Sequence, residues 1–258
     1  MGGAVLNDEW PVSNEELKSA HCWFGSDRVA GEPEVTALMP MCFNLFGDAA
    51  ADPARLQKSV GALWPTHTGT AAELVFEWSP GRRNGEFLNN ATAFVAAVLL
   101  GLGDGTEGVI GIETKYHEHI QADDAPSEDK RMPLYRKVTD ASRTFKPGRE
   151  QAIVGTELQQ IWLDHLLVLA MLQHPSHRWR WGRFVLVYPA ANPSVPAASD
   201  RYREVLADDT TFEVRTIEEL LEPGVLHTAA TVSAFRDRSL WDRDIDLPDS
   251  ATPPAESQ

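Results

Sequence analysis

The stretch Val109-Ile-Gly-Ile-Glu113-Thr-Lys115-Tyr-His-Glu118 constrains the fold more than any other part of the chain. It reads as a buried strand over 109–116, broken by an acid and a lysine two residues apart. Side chains of a strand alternate between its faces, so Glu113 and Lys115 point the same way and Thr114 points the other. A carboxylate and an ammonium on an apolar strand are costly unless paired with each other, a metal or a ligand. The pair is therefore a candidate site.

The flanking sequence supplies the rest of a sheet. Strands are expected at 72–78, 91–100, 183–188 and 212–215, besides 109–116. The Gly-rich turn 101–108 makes the second and third strands an antiparallel hairpin. Helices are expected at 13–20, opened by the capping box Ser13-Asn-Glu-Glu16, and at 33–46, ended by Gly47. Asp52-Pro53 starts another that stops near Trp64-Pro65. A further helix falls at 134–145. The clearest covers 156–173, with apolar residues at 158, 161, 162, 166 and 169. A helix at 199–207 and a helical turn at 217–221 complete the set. The acidic run 121–130 reads as a mobile loop.

Helix, three strands, long helix, strand is the order of an α/β fold: a mixed central sheet with helices on its faces. The expected organisation is an N-terminal helical segment, 1–70, packed on a core of 71–241. The tail 242–258, ending ATPPAESQ, is expected to be disordered.

With 258 residues and 43% hydrophobic content, the chain can bury a substantial core. It has no apolar run long enough for a membrane span. Its first residues lack the basic and apolar regions of a signal peptide. Cys22 and Cys42 are too few for a disulfide framework. These features lead to the expectation of a cytoplasmic protein without a membrane partner. A net charge of −15 argues against loose, sequence-blind nucleic-acid binding. Basic residues nevertheless gather between Lys130 and Arg149 and again between Arg178 and Arg183. Each cluster is either solvated surface or a local basic groove. Arg180 and Trp181 would stack on nucleic acid or cover a hairpin.

Other chemistries find little support. His117 and His119 share a strand face, but no cysteine or third histidine lies near them in sequence to complete a zinc site. His165, on the apolar helix, reads as a core histidine, and Asn44 as a structural residue at a helix end. No phosphate-binding loop, dinucleotide fingerprint or nucleophile elbow occurs.

Six phrases, taken in order, resemble the PD-(D/E)xK nuclease superfamily, and more narrowly a bacterial restriction-endonuclease-like family within it. They are Met41-Cys-Phe-Asn-Leu-Phe-Gly47, Phe76-Glu77-Trp-Ser-Pro80, Thr92-Ala-Phe94, Ile110-Gly-Ile-Glu-Thr-Lys-Tyr116 with Glu118, Gln160-Ile-Trp162 with His165-Leu-Leu167, and Phe184-Val-Leu-Val-Tyr-Pro189 with Asn192. The resemblance spans about 35–222. It implies a restriction-endonuclease-like fold and metal-dependent hydrolysis of DNA phosphodiesters. Mg²⁺ or Mn²⁺ would be held by Glu113, Glu77 and the backbone carbonyl of Thr114. Lys115 would stabilise developing negative charge, and Gln160 would orient water or substrate.

The sequence departs from the family pattern twice. The central metal-binding Asp would fall at position 95, where this chain has Val95, so the cation would be weakly bound. The Gln-x-x-Arg pattern of the long helix ends in Leu163. DNA is the expected partner, with a protein partner or a second copy of the chain as further candidates. The alternative to an active enzyme is an inactive nuclease fold that binds nucleic acid or protein.

Overall fold

Glycine inside a helix costs up to about 1 kcal/mol relative to alanine, and the first helix pays that cost. The computed structural model describes residues 38–65, 69–115, 120–128 and 130–222, with Leu226 and Val232. The expected 13–20 helix, Cys22, the His117–His119 pair, the side chain of Asn44 and the tail lie outside the described residues. Helix α1 (Leu38–Ala51) runs straight through Gly47, where the sequence predicted its end. Cys42, Leu45, Phe46 and Ala49 are all buried, so packing on both sides of the glycine outweighs its poor propensity. The chain breaks instead at Asp52. Its carboxylate accepts from the backbone N–H of Ala54 at 3.0 Å and of Arg55 at 3.1 Å. Pro53 then opens α2 (Pro53–Leu63), a pairing of cap and first residue that needs no intrahelical donor.

Five strands follow the expected order. They are β1 (Gly69–Trp78), β2 (Phe94–Leu102), β3 (Glu107–Thr114), β4 (Trp179–Tyr188) and β5 (Phe212–Thr216). Sheet order equals chain order. β1 with β2 and β2 with β3 are antiparallel, whereas β3 with β4 and β4 with β5 are parallel. Parallel neighbours need crossovers, and helices provide them. α3 (Met132–Ser142) and α4 (Gln159–Leu172) lie between β3 and β4, and α5 (Ser194–Val205) between β4 and β5. The short α6 (Ile217–Leu220) follows β5 directly, with a complete capping box on Thr216. The result is a mixed sheet flanked by helices. No helix among the described residues is long and apolar enough to cross a membrane.

Each face of the sheet carries its own apolar layer. Val109, Ala97, Phe184 and Leu186 join Leu166, Val168 and Met171 of α4 and Tyr202 of α5. Ile110, Ile112, Val98, Val185 and Val187 join Cys42, Leu45 and Phe46 of α1 and Leu56 and Val60 of α2 on the other side. Alternation along β3, and along β4 from Trp181 onward, produces this division. At the start of β2 it fails: Phe94 belongs to the α4 side, but Val95 and Ala96 both pack on the α1 side. The Phe94 ring lies across the backbone of Gly111, where a Cβ would sit well inside van der Waals contact of three ring carbons.

That contact gives a prediction. Gly111→Ala forces the Phe94 ring from its place and should lower stability by about 1–3 kcal/mol in urea denaturation. A Gly111→Ala, Phe94→Leu double variant should recover part of the loss.

Candidate active site

β3 carries its apolar alternation to Ile112 and then presents charge. The backbone N–H of Lys115 donates to the Val187 carbonyl at 2.8 Å, so the ladder with β4 extends one residue past the strand and fixes the lysine. Glu113 and Lys115 are both buried. Lys115 Nζ stands 3.2 Å from Glu113 Oε1. It also donates to Gln160 Oε1 of α4 at 2.9 Å. The strand pair and the helix amide thus form one hydrogen-bonded group. Gln160 is exposed, so the group opens to solvent at that point.

The helix beside it is buried nearly all round, as eleven of its residues show. Its direction is antiparallel to β3. Gln160 sits at Lys115, while Val168 sits where Gly182 of β4 meets Val109. Four residues of helix advance about 6 Å and two residues of strand about 6.6 Å. Asp164, one turn beyond Gln160 on the same face, therefore comes level with Glu113. Electrostatics agree: burial pushes the Asp164 carboxyl well above its ordinary range, the Glu113 charge pushes it further, and Lys115 opposes both. Asp164 Oδ2 is buried without a hydrogen-bond partner. Sequence reading missed this residue. The signal was there, an acid in the otherwise apolar run Ile161-Trp-Leu-Asp-His-Leu-Leu, four residues after Gln160.

The remaining expected residues divide. Paired positions Phe76–Ala96 and Trp78–Phe94 bracket Glu77 and Val95. Ala96 pairs with Ile112, so one further step sets Val95 across from Glu113. Positions 77, 95 and 113 thus lie in one row across three strands. The side chains do not all follow the row. Val95 packs on the α1 side. Glu77 takes a left-handed backbone conformation, φ 50°, and its carboxylate accepts from Arg82 Nη2 at 2.8 Å, with both groups well exposed. The thiol of Cys42 reports both acids: burial raises it first, then the charges of Glu113 and Glu77. Thr114 is fully buried, its hydroxyl oxygen without a hydrogen-bond partner. Leu163 packs against the α4-side core.

Among the described residues no group of three or more His, Cys, Asp or Glu side chains is set to hold a metal. The buried acids of the site, Glu113 and Asp164, offer oxygen donors. They suit a hard cation such as Mg²⁺, which takes one or two protein carboxylates and keeps several waters.

Residues 34–241 match the model of the PD-(D/E)XK nuclease superfamily. The chain belongs to that superfamily. No curated protein and no solved structure matches it significantly. The matched span includes both α1 and α2 as well as the whole sheet. Within the matched span Glu113-Thr-Lys115 stands at the end of β3. Other polar features serve the fold. His165 shares hydrogen bonds with Tyr202 Oη at 3.0 Å and Thr211 Oγ1 at 2.8 Å, which makes it a core histidine. Trp181 is half-buried on the α1-side core, and Arg183 lies over its ring at 5.7 Å. The loop 121–128 is tied down, with Gln159 Nε2 donating to the Asp124 carbonyl at 2.9 Å and Glu128 pairing with Arg136 at 2.8 Å.

His165 gives a pH prediction. Burial pushes its pKa down to about 3. The unfolded chain takes up that proton near pH 6.5, whereas the folded chain does so only far below. Its contribution to stability is therefore full above pH 6.5 and declines as pH falls toward 3. Between pH 6.5 and 5 the protein should lose about 1.5 kcal/mol more than a His165→Gln variant, measured by urea denaturation at each pH.

Proposed function

We propose that this PD-(D/E)XK chain is a divalent-metal-dependent nuclease that hydrolyses DNA phosphodiesters. The observation that carries the reading is the buried Glu113–Lys115 pair, bonded to an amide that opens to solvent. Mg²⁺ or Mn²⁺, when bound, would polarise a phosphate oxygen and lower the pKa of a bound water. Glu113 would hold it together with the Thr114 carbonyl, and Glu77 would assist once freed from Arg82. Lys115 stands in a site largely removed from water, where an ammonium can stabilise the extra negative charge of the transition state. Gln160, at the mouth, can orient a water or a phosphate oxygen. The loop after β1 brings the exposed Arg82 and Arg83 to the same end of the sheet, which suits a polyanionic substrate despite the acidic chain. The reading includes a cytoplasmic setting, with defence against foreign DNA as the role implied by the restriction-endonuclease-like resemblance. A protein partner or a second copy of the chain would complete the assembly.

A second reading keeps the fold for binding alone. Val95 favours it, because that side chain cannot bind a cation and packs away from α4. The two readings part in one assay. Incubated with supercoiled plasmid and Mg²⁺ or Mn²⁺, the wild type should nick DNA and stop when EDTA is added. Lys115→Ala should slow nicking by about 100-fold or more. No cleavage by wild type, with no metal binding, would overturn the nuclease reading. Retardation of DNA in a gel without cleavage would support the binding protein.

A further inference from the structure

A metal site built on Glu113 alone among buried acids would be poor in charge, and Val95 removes the carboxylate that the sequence pattern places on β2. The opposite wall of the site supplies another. Asp164 lies one helical turn beyond Gln160, level with Glu113. Its residue is 94% buried, since only 6% is exposed. Its Oδ2 has no hydrogen-bond partner. Lys115 is already committed to Glu113 and to Gln160. No hydrogen bond or ion pair joins that ammonium to Asp164, the second buried acid. Packing does not require an acid there, because its neighbours Ile161, Leu167 and Val168 are apolar core residues. A buried acid oxygen without a partner is expensive, by about 1–3 kcal/mol or more, unless something absent from the protein itself engages it.

We infer that Asp164 of α4 is the second carboxylate of the cation site, facing Glu113 across the gap between helix and strand. This inference rests on the nuclease reading and names the residue that takes over the task Val95 cannot perform. Two carboxylates and coordinated waters meet the needs of Mg²⁺ or Mn²⁺. They leave Lys115 at the rim beside Gln160, where a phosphate would arrive. The rise of α4 sets the spacing: Gln160 meets what enters, and Asp164 meets what is held.

Binding of Mn²⁺ to the apo protein, followed by loss of the free-ion EPR signal, tests the assignment without relying on activity. Wild type, Glu113→Gln, Asp164→Asn and Asp164→Ala are compared, with circular-dichroism melts as the folding control. Wild type should bind Mn²⁺. Both Asp164 variants should weaken binding about tenfold or more, as Glu113→Gln does, because each removes one of two anionic ligands. Without metal, Asp164→Asn should melt at or above the wild-type temperature. Binding unchanged in both Asp164 variants but weakened in Glu113→Gln would overturn the inference and leave the nuclease reading standing. No Mn²⁺ binding by wild type would overturn both. An apo Asp164→Asn protein that melts far below wild type would overturn the inference in favour of a structural acid.

Discussion

The structure turns on a shortage of positive charge in a buried place. Glu113 and Lys115 leave an apolar strand side by side, and taking such a pair out of water costs several kcal/mol per ion before attraction repays it. Lys115 is held by Glu113, by the Gln160 amide and, through its backbone, by β4. Asp164 adds a second acid with an unpartnered oxygen. The sheet and the buried helix exist as a pair of walls around that group. β3 is fixed between β2 and β4, and α4 packs along the sheet with Gln160 bonded to Lys115.

Much of this was legible in the sequence. The order of strands and helices, the hairpin of β2 and β3, and the shared face of Glu113 and Lys115 follow from period and turn chemistry, which are local. The Asp52-Pro53 helix start is equally local. The end of α1 was not legible, because Gly47 is a weak local signal that burial of Ala49 and its neighbours outweighs. Asp164 was hidden for a related reason. Its significance depends on which turn of α4 lies level with Glu113, and that is a matter of tertiary placement.

Position 95 shows the limit from the other direction. The strand register sets it beside Glu113, yet its side chain packs with the α1-side core. Valine at this place follows its hydrophobic character to the core, and Phe94 takes the α4 side across Gly111. Phe94's ring therefore occupies sheet surface next to the candidate site. Glu77, at the end of the same row, turns out toward Arg82. The acids legible in the strands reduce to one that is buried, and the helix contributes the other.

The central claim is that Glu113 and Lys115 are kept for chemistry and not for folding. Equilibrium urea denaturation of a Glu113→Gln, Lys115→Met double variant, without metal, tests it most directly. The double variant should be as stable as wild type or more stable by about 1–4 kcal/mol, while Lys115→Met alone should lose about 3–5 kcal/mol. A double variant destabilised as much as the single one would contradict the claim and make the pair a structural element of the sheet.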